Sequence, residues 1–322
     1  MKKALIKTLK VLLPLLLGAF LIYLSYRQFT PAQLEEIKSY LREADYSYIA
    51  LGLFFAMLSH LSRAWRWNYM LSALGKKPAF LNNIIAIGSG YAMNLIIPRS
   101  GEVTRAVIVN RTDDVPVDQG LGTIIAERVL DFILLLAITA TALLTAGSEI
   151  LDFFKAGMDS AFAKANPLKI VAYLLVFVIL ILMGVFLLKK LKLMQKVRSF
   201  LAGIKDGFTT IWTMQHKWWY LAHTFFIWGM YLAMFYICIF AIPDTDSMPL
   251  SAVLCAFVAG SFAVAFTNGG FGAYPYLISQ VLLLFGYGAV VGTAFGWIIW
   301  LSQTALVIVF GLICFLLFSI RK

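Results

Sequence analysis

The stretch Asn94-Leu95-Ile96-Ile97-Pro98-Arg99-Ser100-Gly101-Glu102-Val103-Thr104-Arg105 breaks an apolar run of membrane type with a proline, a glycine and charged side chains. A second charged group, Glu127-Arg128 with Asp131, lies inside the next long apolar stretch. On insertion scales a charge at the centre of a membrane helix costs roughly 2.5–3.5 kcal/mol, so such residues mark where a membrane protein works.

The rest of the chain sets that context. Apolar residues make up 61% and charged residues 13%, and the mean hydropathy is +0.85, outside the range of soluble domains. Several apolar runs reach the ~20 residues that a helix needs to cross a hydrocarbon core, and strand alternation is absent. The net charge of +11 does not point to nucleic acid, because the basic residues follow the ends of the apolar runs. Lys2, Lys3, Lys7 and Lys10 precede an apolar run without a small-residue cleavage site, which reads as a retained first span. Cys238, Cys255 and Cys314 lie in apolar stretches and read as small core residues. His60, His216 and His223 form no metal-ligand pattern with them. No nucleotide-binding loop is present, so no metal and no cofactor is expected.

The expected fold is an all-α polytopic membrane protein forming a single integral membrane domain over 1–322. Full spans are predicted at 9–28, 47–71, 120–146, 168–188, 218–242 and 287–318. The stretches 80–111 and 250–286 are broken near their middles and are predicted to be re-entrant hairpins. Basic residues then collect on one side, with Lys76, Lys77 and the 189–217 connection, and acids such as Glu35, Glu43, Asp45 and Asp244 on the other. The positive-inside rule places both termini in the cytoplasm. The 189–217 connection mixes bases with Leu, Met, Phe and Trp, as in an amphipathic helix on an anionic inner leaflet. The order span, span, broken hairpin, span occurs twice, at 9–146 and 168–318, and the second copy is inverted.

Helix starts at the two breaks would aim backbone N–H groups at one interior point. Ser100 and Asn268 are suited to N-caps, and Gly101, Gly269 and Gly270 permit a tight turn. This geometry suits an anionic ligand such as a lipid phosphate. The alternative for Gly269-Gly270 is close helix packing. Arg99, Arg105 and Arg128 are the candidate phosphate-binding groups, since guanidinium matches phosphate in bidentate fashion. Glu102 (i,i+3 to Arg105), Glu127 and Asp131 would hold those arginines or exchange protons. The alternative is a purely structural ion network. Arg63 and Arg66, flanked by Trp65 and Trp67, read as snorkelling anchors at the interface.

Taken together, Arg66-Trp67, then Asn94-x-x-x-Pro98-Arg99-x-Gly101-Glu102-x-x-Arg105, then Glu127-Arg128-x-x-Asp131 resembles the transmembrane domain of bacterial lysylphosphatidylglycerol synthases. The resemblance covers nearly the whole chain and adds Arg66 to the residues expected to organise the site. The family's late motif looks like Asn268-Gly269-Gly270-Phe271-Gly272-Ala273-Tyr274-Pro275, with Asn268 standing where the family has proline and Pro275 where it has an acid. That departure counts against an acid-dependent role of the second hairpin. The resemblance implies a stand-alone flippase-like protein of a prokaryotic cytoplasmic membrane, without the aminoacyl-transfer domain. Its expected ligand is a membrane phospholipid or a polyprenyl-phosphate lipid, and its expected partner a second copy or a lipid-biosynthesis protein. A membrane-embedded transferase acting on a lipid-phosphate carrier, with Glu127 or Asp131 as general base, is the second reading.

Overall fold

Every regular element among the described residues is helical. The structure, a computed structural model, describes residues 2–97, 100–149, 151–152, 155 and 211–320. The span expected at 168–188 and residues 189–210 of the 189–217 connection lie outside the described residues. The helices are α1 (Lys2–Arg27), α2 (Pro31–Glu43), α3 (Tyr46–Ala73), α4 (Phe80–Ile96), α5 (Gly101–Asp113) and α6 (Val117–Thr145). After the undescribed segment come α7 (Lys217–Ile237, continued by a 3₁₀ turn, Cys238–Ala241), α8 (Leu250–Phe266), α9 (Ala273–Leu284) and α10 (Ala289–Ile320).

The outside of this bundle is apolar. Lys217–Ala241 and Ala289–Ile320 are long and apolar enough to cross a bilayer, and only 17% of the most apolar window of α10 is buried. Most side chains of that stretch therefore face outward, as a surface in hydrocarbon requires and a soluble core helix does not allow.

Helix α2 falls between the predicted spans 9–28 and 47–71 and was not among the expected elements. Thr30 and Gln33 form a reciprocal capping box and Pro31 occupies the first helical turn, where its missing N–H has no partner to lose. Ile37 is the buried residue of its inner face, and α2 packs on α10. The Tyr40 hydroxyl donates to Asp244 Oδ2 at 2.6 Å, and that bond pushes the hydroxyl up to about 12 from its ordinary 10.0. The folded state holds this proton more tightly than the unfolded chain does. The contact therefore contributes fully below about pH 10 and is lost as pH rises through about 12. Tyr40→Phe is expected to abolish that alkaline step in a pH series of thermal unfolding. An identical step in the variant would show that the bond does not form.

Helices α3 and α7 run antiparallel along most of their length. The Asp45 N–H donates to the Ala241 carbonyl at one end, and Tyr69 meets His216 at the other. Helices α4 and α5 form an antiparallel hairpin. The Asp113 carboxylate at the end of α5 accepts from the Ala79 N–H and from Asn82 Nδ2, at the start of α4. Helices α8 and α9 form a second hairpin, closed where Tyr287 meets Ser247. Pro275 lies in the first turn of α9, a position that tolerates proline. The hairpins pack crosswise: α4 lies on α10 and α8 on α6. Their broken tips approach each other, so a Cβ placed on Gly269 would lie 3.8 Å from Leu95 Cδ2.

Two apolar cores fill the bundle. One gathers Ile49, Phe235, Phe257, Ile278 and Phe295 near the acid-rich end. The other gathers Trp67, Met70, Ile85, Val109, Ile124 and Tyr220 toward Lys76.

Candidate functional site

The charged residues lie between these cores. On α3, Arg63 and Arg66 follow Ala56 of the first core and adjoin Ala64 and Trp67 of the second. On α6, Glu127 and Asp131 flank Leu130, with Ala142 of the other core beyond. An ion in such a place needs partners, because a lone charge in low dielectric loses its hydration without return.

Asp131 is the hub. It accepts from Arg63 Nη1 at 2.9 Å and, in bidentate fashion, from Arg66 Nη1 at 2.8 Å and Nη2 at 3.3 Å. Glu127 Oε2 accepts from both terminal nitrogens of Arg105 at 3.1 Å, while its Oε1 lies 3.7 Å from Arg66 Nε. Arg105 also lies over the Trp67 ring, 4.2 Å from its centroid, and Trp67 Nε1 donates to Thr123 Oγ1 at 2.9 Å. The sequence paired Glu102 with Arg105 along one helix. Instead the fold sets Glu102 3.8 Å from Arg128 and gives Arg105 to Glu127 across helices.

The expected snorkelling role of Arg63 and Arg66 is wrong. Arg66 and Trp67 are fully buried and Arg63 is 3% exposed, because the Asp131 carboxylate holds both guanidiniums inside. Trp65 alone of that group keeps an outward position.

Of the two expected N-caps, Ser100 stands at the N-cap position of α5 and Asn268 does not cap α9. Ser100 makes no side-chain cap to α5. Its hydroxyl donates to the carbonyls of Ile97 and Met93, and Asn94 Oδ1 instead accepts the Gly101 N–H at 2.7 Å. The residue before α9 is Gly272 at φ 69°, not Asn268. Asn268 begins the preceding turn, its carbonyl accepting from the Phe271 N–H, and the Gly269 carbonyl accepts from Trp300 Nε1 at 2.8 Å. Gly270 is buried at φ 81° in the same turn. Arg99, with Pro98, lies outside the described residues.

One face of α7 completes the network and was not anticipated. Thr224 Oγ1 accepts from Arg66 Nη1 at 3.2 Å, Trp228 Nε1 donates to Asp131 Oδ1 at 3.4 Å, and the Tyr231 hydroxyl accepts from Arg63 Nη2 at 3.4 Å. Tyr220, one turn earlier, lies beneath Arg66 at 5.5 Å. Tyr220, Thr224, Trp228 and Tyr231 stand at helical spacing in a run otherwise read as apolar, and that spacing was the available signal.

Arg63, Arg66, Arg105 and Arg128 thus face Glu102, Glu127 and Asp131, which leaves one positive charge uncompensated among the described residues. A cavity of about 230 Å³ lies elsewhere, between α1, α2, α9 and α10, with Ile22, Phe29, Ile37, Pro275 and Trp297 in its wall. It touches none of these charges.

An all-α bundle with an apolar exterior and an ion network sunk between two apolar cores is an integral membrane protein with polar chemistry in its interior. The chain belongs to the family described as the lysylphosphatidylglycerol synthase TM region, which it matches over residues 11–311. It is also similar to a UPF0104 membrane protein of Methanocaldococcus jannaschii, 27% identical over 109 residues. That alignment takes in 33% of this chain and 32% of the relative, so the chain spans about a third of the relative's length. No solved structure matches the chain.

Proposed function

We propose that this protein is a flippase-like transporter that moves an anionic or polyprenyl-phosphate lipid between the leaflets of the cytoplasmic membrane. The observation that carries this reading is the buried network with its surplus positive charge, built where the first hairpin meets α3, α6 and α7. A phosphate supplies the missing negative charge. Arg99 and Arg128 take the phosphate directly, Arg105 backs them, and Glu102, Glu127, Asp131 and Arg66 fix the guanidiniums in place.

In this reading six helices cross the membrane, the two hairpins are re-entrant from opposite sides, and both termini are cytoplasmic. Two inverted halves rock about the hairpin tips. The crosswise packing of α4 on α10 and α8 on α6 supports such a relation, since an inverted repeat exchanges those pairs. The transferase reading needs a free carboxylate as base, but Glu127 and Asp131 are each already bound to arginine.

The test is leaflet exchange of labelled phosphatidylglycerol in vesicles holding the purified protein. Exchange is expected to exceed that of protein-free vesicles and to fall at least about tenfold in Arg99→Ala, the loss of one charge-assisted contact. Exchange no faster than in empty vesicles, or unchanged in the variant, would overturn the reading.

A further inference from the structure

Arg128 differs from the other arginines of the network. Its side chain is 44% exposed, and its described partners are distant: Glu102 Oε1 at 3.8 Å and Asp131 Oδ2 at 3.7 Å. Neither is a hydrogen bond at those lengths. Its neighbours on the same face of α6 are apolar and exposed: Ile125 at 60%, Phe132 at 41% and Leu136 at 46%. These positions, spaced three, four and four residues apart, form one helical stripe. On α5, next to Glu102, Val103 is likewise exposed at 51%. A guanidinium on such a stripe is open to the hydrocarbon side of the bundle, while its other flank reaches the buried Asp131. Beside it, Glu102 Oε2 is a buried carboxylate oxygen without a hydrogen-bond partner among the described residues.

We infer that the groove between α5 and α6 is a lateral portal through which a phospholipid headgroup leaves the bilayer and reaches the ion network. Arg128 receives the phosphodiester, and Glu102 Oε2 accepts a hydrogen bond from a hydroxyl on the headgroup. Acyl chains lie against Ile125, Phe132 and Val103. The chemistry fits a lipid and not a soluble phosphate, because the cation stands on a stripe of exposed apolar side chains, Ile125, Phe132 and Leu136. It also fits an anionic headgroup bearing hydroxyls better than a choline headgroup, which has no donor for Glu102. This inference rests on the lipid-handling reading above and gives it an access route and a class of headgroup.

The experiment is native mass spectrometry of the full chain released from micelles supplied with phosphatidylglycerol, phosphatidylcholine or soluble glycerol phosphate. Wild type is expected to retain phosphatidylglycerol over phosphatidylcholine, with glycerol phosphate unable to displace it. Arg128→Gln should lower retention about tenfold at unchanged thermal midpoint, the loss of one charge-assisted contact. Glu102→Gln should narrow the difference between the two lipids. Equal retention by wild type and Arg128→Gln overturns the portal, as does displacement by glycerol phosphate. A change of oligomeric state in Arg128→Gln also overturns it, by assigning this face to a second copy. Leaflet exchange separates the two ideas. Arg128-dependent retention without exchange upholds the portal and defeats transport, whereas exchange with retention indifferent to Arg128 does the reverse.

Discussion

Asp131→Ala will destabilise the protein by about 3–5 kcal/mol, the range for stranding a buried charge by removing its partner. The size of the effect follows from what the carboxylate holds. It binds both Arg63 and Arg66 at hydrogen-bond distance and accepts from Trp228, so the alanine variant leaves two guanidiniums with greatly reduced compensation between two apolar cores. Neither can reach water without dragging α3 out of its packing against α7, since Arg66 is fully buried. Denaturant or thermal unfolding in a fixed detergent is the measurement. A loss below about 1 kcal/mol, the value typical of exposed pairs, would show that these arginines are solvated. A paired deletion sharpens the test. Glu127→Met alone strands Arg105, whereas Arg105→Met with Glu127→Met removes both charges and is expected to be more stable than the single variant.

The helices flanking the two hairpin tips were legible in the sequence because proline and glycine interrupt them. The breaks read from Ile97 to Glu102 and from Thr267 to Gly272 begin directly after the ends of α4 and α8. The partners of each charge were not legible. Spacing along one helix offered Glu102 to Arg105, but the fold assigns Glu127 to Arg105 from a different helix, a choice made by how α5 packs on α6. Arg63 and Arg66 misled for a related reason: a Trp-Arg-Trp run near a span end has the same local pattern whether it anchors at the interface or folds inward. Only the position of Asp131 across the bundle decides between them. Helix α2 was missed although Thr30 and Gln33 carry a capping-box spacing, because a short polar helix between two spans gives no apolar run to find. The Thr224, Trp228 and Tyr231 face was overlooked because polar aromatic residues at helical spacing barely alter the hydropathy of a span.

The second large effect concerns Gly101, where the hairpin and the ion network depend on the same contact. A Cβ there would collide with the Gly90 carbonyl oxygen, and the Asn94 amide carbon would lie 2.7 Å from it. The first of these is backbone and the second is the group that holds the Gly101 N–H, so neither gives way cheaply. Overpacking of this kind costs typically about 1–3 kcal/mol, and Gly101→Ala is expected to exceed the upper end because relief requires α5 to move off α4. That motion would carry Arg105 away from Glu127: the Arg105 side chain already lies against Gly90, with its Cγ only 2.9 Å from where a Cβ on that glycine would stand. Gly101→Ala should therefore lose thermal stability and lipid exchange together. Gly122→Ala on the open face of α6, where an added Cβ meets nothing within 4 Å, supplies the contrast. It places alanine in a helix interior and should be neutral or stabilising by up to about 1 kcal/mol. Equal behaviour of the two variants would mean that α4 and α5 do not approach at Gly101, and the route by which hairpin packing positions Arg105 would fall with that contact.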